Sequence, residues 1–291
     1  MKIWPDCIPC IMKMSLGIAY LVIQDNGHVR RFLNQVLKLK YFRGEDWEVT
    51  SPEVIKQVWL MLLEVTGQAD PMKEIKKEQN RKALEIYPVA KKTVLESHDP
   101  LLEAIKLAIA GNSIDAMVNV EGEAPEKILQ RWDKLEIDAG NLNLFKERLK
   151  KARKLVYLGD NCGEIVFDKL LMETLRKLYP LEIIFVTRTL PIMNDITFQD
   201  ALSIGIEEVA QMMENGTPEP LPGTFLEKIS RELRAEMESS DLVISKGGGN
   251  CDSLTEENKM KGKISFLLTA KCHPYCSIHQ VTLSAPIIYN F

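Results

Sequence analysis

Apolar residues recur at helical spacing through roughly the first 110 residues, and short unbroken apolar runs replace them after Lys154. The chain therefore predicts helices first and a sheet afterwards. Met14 to Ile23 is a mostly apolar run that reads as a buried helix: Asp6 and Lys13 lie just upstream, no small-residue cleavage site is evident, and the run is too short to span a bilayer. Ser51-Pro52-Glu53 has the order of a helix start with Ser51 as cap, and Val54, Ile55, Val58, Trp59 and Leu62 follow as its apolar stripe. Asp70-Pro71 opens another helix, on which Lys76 and Asn80 share one face; among so many Lys and Glu residues that face reads as solvated. The helix over Leu101 to Ala110 is expected to stop at Gly111 in a left-handed conformation, before Asn112-Ser113-Ile114-Asp115. Residues 121–150 read as a connection and a helix leading into the sheet.

Beyond that point strand and helix alternate. Leu155–Leu158, Leu181–Thr187, Asp241–Ser245 and Ile264–Thr269 read as buried strands, with helices near 164–178, 224–238 and 251–260. Such alternation implies a mostly parallel sheet covered on both faces. The organisation is a mainly helical region over 1–150 and an α/β region over 151–291.

The residues just past each strand carry the candidate chemistry. Asp160 and Asn161 follow the first; Arg188, Asn194 and Asp195 the second; Lys246, Gly247, Gly248, Gly249 and Asn250 the third; Lys271 and Cys272 the fourth. In a parallel sheet these ends share one edge, where open α/β sheets bind ligands. Asp160, Asn161 and Asp195 offer hard oxygen atoms to a divalent cation while leaving room for water and a phosphate oxygen. Lys271 would neutralise phosphate charge, and the glycines let backbone N–H groups approach an anion. Those are parts for transferring a phosphoryl group to water. Each feature also has a plainer use, as a helix cap, a solvated lysine or a turn, and it is their sharing of one edge that favours a site.

Composition narrows the setting. The 291 residues are 45% hydrophobic and 27% charged, the proportions of a globular protein, and the net charge of −4 with pI near 5.8 argues against nucleic acid and anionic membrane as partners. With no targeting segment read, a cytoplasmic location is expected. Six cysteines in a chain of this size do not make a disulfide scaffold. Cys7 and Cys10, with Cys272 and Cys276, could supply four thiolates to a structural zinc; a redox pair or plain buried thiols are the other options.

Taken together in order, these residues resemble the DUF89 family, the damage-control phosphatases, and in particular an archaeal-type subgroup with an N-terminal CxxC. The likeness is carried by Cys7 and Cys10, Asp70-Pro71 with Lys76 and Asn80, and Gly111 to Asp115. It continues through Gly159-Asp160-Asn161-Cys162-Gly163-Glu164, Arg188 with Pro191, Asn194-Asp195, Thr197, Asp200-Ala201, Lys246-Gly247 with Gly249-Asn250, and Lys271-Cys272. The resemblance implies a helical region packed on a Rossmann-like α/β/α sandwich and a metal-dependent phosphatase, often favouring manganese, cobalt or nickel over magnesium, acting on small phosphorylated metabolites such as sugar phosphates and damaged or cofactor-precursor phosphates. It makes Asp160, Asn161 and Asp195 the metal ligands and, with Lys271, the catalytic set. Substrate binding falls to Asn112, Asp115, Glu164, Arg188, Asn194, Gly249, Asn250 and Lys76. The chain departs from the family pattern at Cys251-Asp252, where an aromatic residue and Glu are common.

Two other functions stay open: an S-adenosylmethionine-dependent carboxyl methyltransferase, and a zinc-stabilised ligand-binding module. Against the first, the turn after the first strand holds Asp160-Asn161 instead of a tight glycine run, and the second strand ends in Thr187-Arg188 without an acid for ribose.

Overall fold

The computed structural model describes residues 1–112 and 132–291. Five helices come first: α1 (Cys7–Val22), α2 (Asn26–Val36), α3 (Ser51–Thr66), α4 (Lys73–Glu96) and α5 (Pro100–Gly111). After α6 (Ala139–Lys151) the chain runs β1 (Lys154–Leu158), α7 (Glu164–Leu178), β2 (Glu182–Thr187), α8 (Phe198–Ser203) and β3 (Gln211–Glu214). It continues through α9 (Arg231–Ser239), β4 (Leu242–Lys246), α10 (Gly248–Leu254), β5 (Ile264–Thr269), α11 (His273–His279) and β6 (Pro286–Asn290).

The six strands among the described residues form one sheet in the order β3-β2-β1-β4-β5-β6, with all neighbours parallel except β5 and β6. That is the order of a doubly wound, Rossmann-like sheet with its last strand reversed. The side-chain period of two explains why its inner strands read as unbroken apolar runs. Leu155, Tyr157, Ile183, Phe185, Leu242 and Ile244 pack on one face under α4, α5, α6 and α7; Val156, Leu158, Ile184, Val186 and Val243 pack on the other with residues of α9, α10 and α11. A third cluster joins α1, α2 and α3 to Ile192 and Met193 of the loop after β2, and Trp59 Nε1 donates to Pro191 O at 3.1 Å.

Several boundaries differ from the sequence reading. The cap of α3 is Thr50, one residue earlier than expected: its N–H and hydroxyl donate to Glu53 Oε2 at 2.9 and 2.8 Å, a capping-box contact that leaves Ser51 inside the helix. Gly111 is no left-handed cap; it lies in the last turn of α5, where a Cβ would come within 2.9 Å of Phe167 on α7. Close helix packing, not a chain reversal, requires glycine there. The helices expected at 224–238 and 251–260 are shorter and displaced, as α9 and α10, and the triple glycine opens α10 instead of forming a flexible turn. β3 and β6 escaped the sequence reading. β3 is a four-residue edge strand that is partly exposed, and β6 begins with a proline, tolerated at a strand start on an edge.

Candidate active site

Strands β1 and β4 are neighbours, but the chain leaves β1 toward β2 on one side and β4 toward β5 on the other. Their carboxyl ends therefore flank the point where the winding reverses, and a crevice opens there. Asp160 and Asn161 lie just past β1. The end of β2 and the loop after it are laced to this turn by backbone hydrogen bonds: Gly159 N to Val186 O at 3.1 Å, Ile196 N to Asp160 O at 2.8 Å and Cys162 N to Asn194 O at 2.9 Å. Asn161 and Asp195 consequently pair as an isolated antiparallel bridge. Met193, in the same loop, has φ of 49°, a left-handed conformation unusual for a non-glycine residue. A cleft of about 210 Å³ results, lined at this end by Asp160, Asn161, Asn194, Asp195, Lys271 and the backbone of Gly248 and Gly249.

The structure brings the expected catalytic residues together in that cleft, along with Asn194 and Gly249. Arg188, Asn112, Glu164 and Asn250 are buried behind it, where they hold the cleft residues in place, and Lys76 is buried on acidic partners that do not line the cleft. Arg188 donates from Nε to Asp195 Oδ2 at 2.7 Å, from Nη1 to Gly223 O at 2.6 Å and from Nη2 to Asn250 Oδ1 at 3.1 Å. Asn250 also accepts from Thr224 Oγ1 at 2.8 Å and donates to Lys246 O at 2.8 Å, tying the start of α10 to the same cluster. Asn112 donates to Glu164 Oε2 at 2.8 Å and to Asp160 Oδ2 at 3.3 Å. Asp115 lies outside the described residues.

Two lysines depart from expectation. Lys246 is neither solvated nor at the lip. It is fully buried, and its ammonium donates to Ala108 O at 2.8 Å, to Asp168 Oδ1 at 2.7 Å and to Glu164 Oε1. Burial opposes its charge, but the Asp168 and Glu164 carboxylates outweigh that and raise its pKa. Lys76 and Asn80 do not form a solvated face. Lys76, 1% exposed, pairs with Asp70 Oδ2 at 2.7 Å and Asp200 Oδ2 at 2.9 Å, and Asn80 Oδ1 accepts from the Gly163 N–H at 2.6 Å. Asp168 and Thr224 went unnoticed in the sequence. Asp168 sits one turn after Glu164 on α7, a spacing that places both on the same helix face.

Burial drives the Asp160 carboxyl well above its usual pKa, and the neighbouring Glu164 and Asp195 push the same way, against Lys271 and Arg188. Four carboxylates, Asp160, Glu164, Asp168 and Asp195, stand here against the cations Lys246, Arg188 and Lys271. That surplus of negative charge, with the Asn161 amide beside Asp160 at 2.8 Å, is a donor set suited to a hard divalent cation. Gly247 completes the cradle: with φ of 76° it carries no Cβ, and a methyl group there would collide with the Asp160 carboxylate. Among the described residues, no three His, Cys, Asp or Glu side chains are grouped to hold a metal. The oxygen set of two carboxylates and one amide falls outside that description.

The six cysteines are thiols. Cys7, Cys10 and Cys272 line the same cleft, and Cys276 packs with Cys272 against the sheet. Burial raises the pKa of Cys7 and pushes that of Cys272 up to about 11, so both are protonated near neutral pH.

Similarities to known proteins run along almost the whole chain. Residues 3–285 match the sequence profile of the damage-control phosphatase ARMT1-like domain. A damage-control phosphatase of Pyrococcus horikoshii is 32% identical over 275 residues, covering 94% of this chain and 92% of that protein. One of Archaeoglobus fulgidus is 30% identical over 278 residues and covers 94% of each. An uncharacterised protein of Methanocaldococcus jannaschii is 33% identical over 285 residues. The crystal structure of a DUF89 family protein from P. horikoshii superposes with a TM-score of 0.85 at 29% identity, over 100% of both chains.

Proposed function

The chain belongs to the damage-control phosphatase ARMT1-like family, and from that premise we propose that it is a divalent-metal-dependent phosphatase acting on small phosphorylated metabolites. The observation that carries this reading is the meeting of Asp160 and Asp195, from separate strand ends, in one cleft with Asn161 and Lys271. Asp160, Asn161 and Asp195 would hold the metal. When bound, it would polarise a phosphoryl oxygen and lower the pKa of water. Lys271 would neutralise charge on the phosphate, with the backbone of Gly248 and Gly249 beside it. Arg188 fixes the Asp195 carboxylate at 2.7 Å and so sets its direction. The Asn112–Glu164–Lys246 chain does the same for Asp160 from behind.

Phosphate release from a panel of phosphorylated sugars and cofactor precursors, with manganese, cobalt, nickel or magnesium added in turn, tests the proposal. Turnover is expected with at least one ion and is abolished by chelation. Asp160→Asn and Asp195→Asn should each lower it by about 100-fold or more, while leaving the circular dichroism spectrum unchanged. Near-wild-type turnover in either variant removes that residue from the ligand set, and absence of hydrolysis with every ion overturns the reading.

A further inference from the structure

The turn that carries Asp160 and Asn161 and the loop that carries Asp195 share a neighbour from the helical half of the chain. Helix α4 presents Lys76 and Asn80 on one face, four residues and about 6 Å apart along its axis. Asn80 is buried and accepts the Gly163 N–H on its amide oxygen at 2.6 Å. Lys76 reaches the other segment through Asp200. Its ammonium donates to Asp200 Oδ2 at 2.9 Å, and the same oxygen accepts the Thr197 N–H at 3.0 Å and the Thr197 hydroxyl at 2.6 Å. Gly163 lies two residues past Asn161, and Thr197 two residues past Asp195. One helix face therefore grips both segments at the same offset from a candidate ligand. Farther along α4, Ala83, Ile86 and Ala90 sit in the core that α7 and the sheet share, which fixes that face in place.

Resting on the phosphatase reading above, we infer that Lys76 and Asn80 are positioning residues: they fix the spacing of Asn161 and Asp195, and through it the affinity for the divalent cation. Neither side chain lines the cleft, so their effect passes through the ligands and not through contact with substrate. The physical reason is the narrow range of distances at which a divalent ion accepts its oxygen atoms, which makes the groups behind the ligands part of the site. Removing the Asn80 oxygen leaves the Gly163 N–H buried without a partner, and the turn must shift to find one. Removing the Lys76 ammonium leaves Asp70 and Asp200 without the cation they share, and the cap formed by Asp200 on Thr197 loosens with it.

Titration calorimetry with manganese on the full chain tests the inference. Asn80→Leu removes the acceptor at similar size and should weaken manganese binding about tenfold, whereas Asn80→Asp keeps an oxygen for Gly163 and should stay within about twofold of the wild type. Ala90→Gly weakens α4 away from both segments and should leave the affinity unchanged. Assays of phosphate release should split the same way: Asn80→Leu needs more manganese for half its activity, and its turnover at saturating manganese returns close to wild type. Unchanged affinity in Asn80→Leu, or an equal loss in Ala90→Gly, overturns this inference and leaves the phosphatase reading standing. If the wild type binds none of manganese, cobalt, nickel and magnesium, the phosphatase reading falls instead. Amide hydrogen exchange then decides the grip by itself, in Asn80→Leu and in Lys76→Met. Faster exchange confined to residues 160–163 and 194–197 supports it, and exchange that is unchanged there or faster throughout the chain overturns it.

Discussion

At the scale of single residues, Gly247 illustrates how one signal can carry a second reason. Three successive glycines after a strand mark a special backbone, and the sequence reading gave them the task of admitting an anion. At Gly247 the need is different: a positive φ and a neighbouring carboxylate that leaves no space for a Cβ. Gly247→Ala should lose about 1–3 kcal/mol of stability from backbone strain, with turnover falling further because Asp160 must move; a urea unfolding curve and a phosphatase assay measure the two effects. His279 gives a pH-dependent case. Burial holds its imidazole below the usual 6.5, and it packs edge-on to Tyr289 with ring centroids 5.0 Å apart. The folded state thus prefers neutral histidine. Its contribution to stability is complete above the unfolded pKa and is lost as pH falls through the lower, folded one. Between pH 7 and 5 the melting temperature of His279→Gln should therefore drop less than that of the wild type.

Among elements, the buried ion cluster shows what pairing demands. Lys246 at the end of β4 joins α5, through Ala108 O, to α7, through Glu164 and Asp168. Removing it leaves two carboxylates buried without their cation, so Lys246→Met should destabilise the fold by about 3–5 kcal/mol. Adding Asp168→Asn to that variant should recover part of the loss, as read from denaturant midpoints. The direction of Lys246 was available in the sequence through parity: it shares a strand face with Leu242 and Ile244, both packed toward α5 and α7. Reading it as a lip residue used its place at the strand end and ignored that alternation. Lys76 offered no such cue, because its two acidic partners are brought in from Asp70 and Asp200, on separate segments.

For the molecule as a whole, the loop that carries Asp195 is held on two sides. Arg188 grips its carboxylate from the sheet, and Ile192 and Met193 are packed into the cluster of α1, α2 and α3. Cation binding at the cleft should therefore stabilise the entire fold. Manganese at 100 times its dissociation constant is expected to add about 2.7 kcal/mol, seen as a higher melting temperature in the wild type and no rise in Asp160→Asn. By itself the sequence determined the order of helices and inner strands, because apolar periodicity is a local property of the chain. It also marked Asp160, Asn161, Asp195 and Lys271 as polar residues just past buried strands. Tertiary structure alone decided which of the remaining polar residues line the cleft and which brace it from behind. That choice depends on packing between helices and a sheet far apart in the chain.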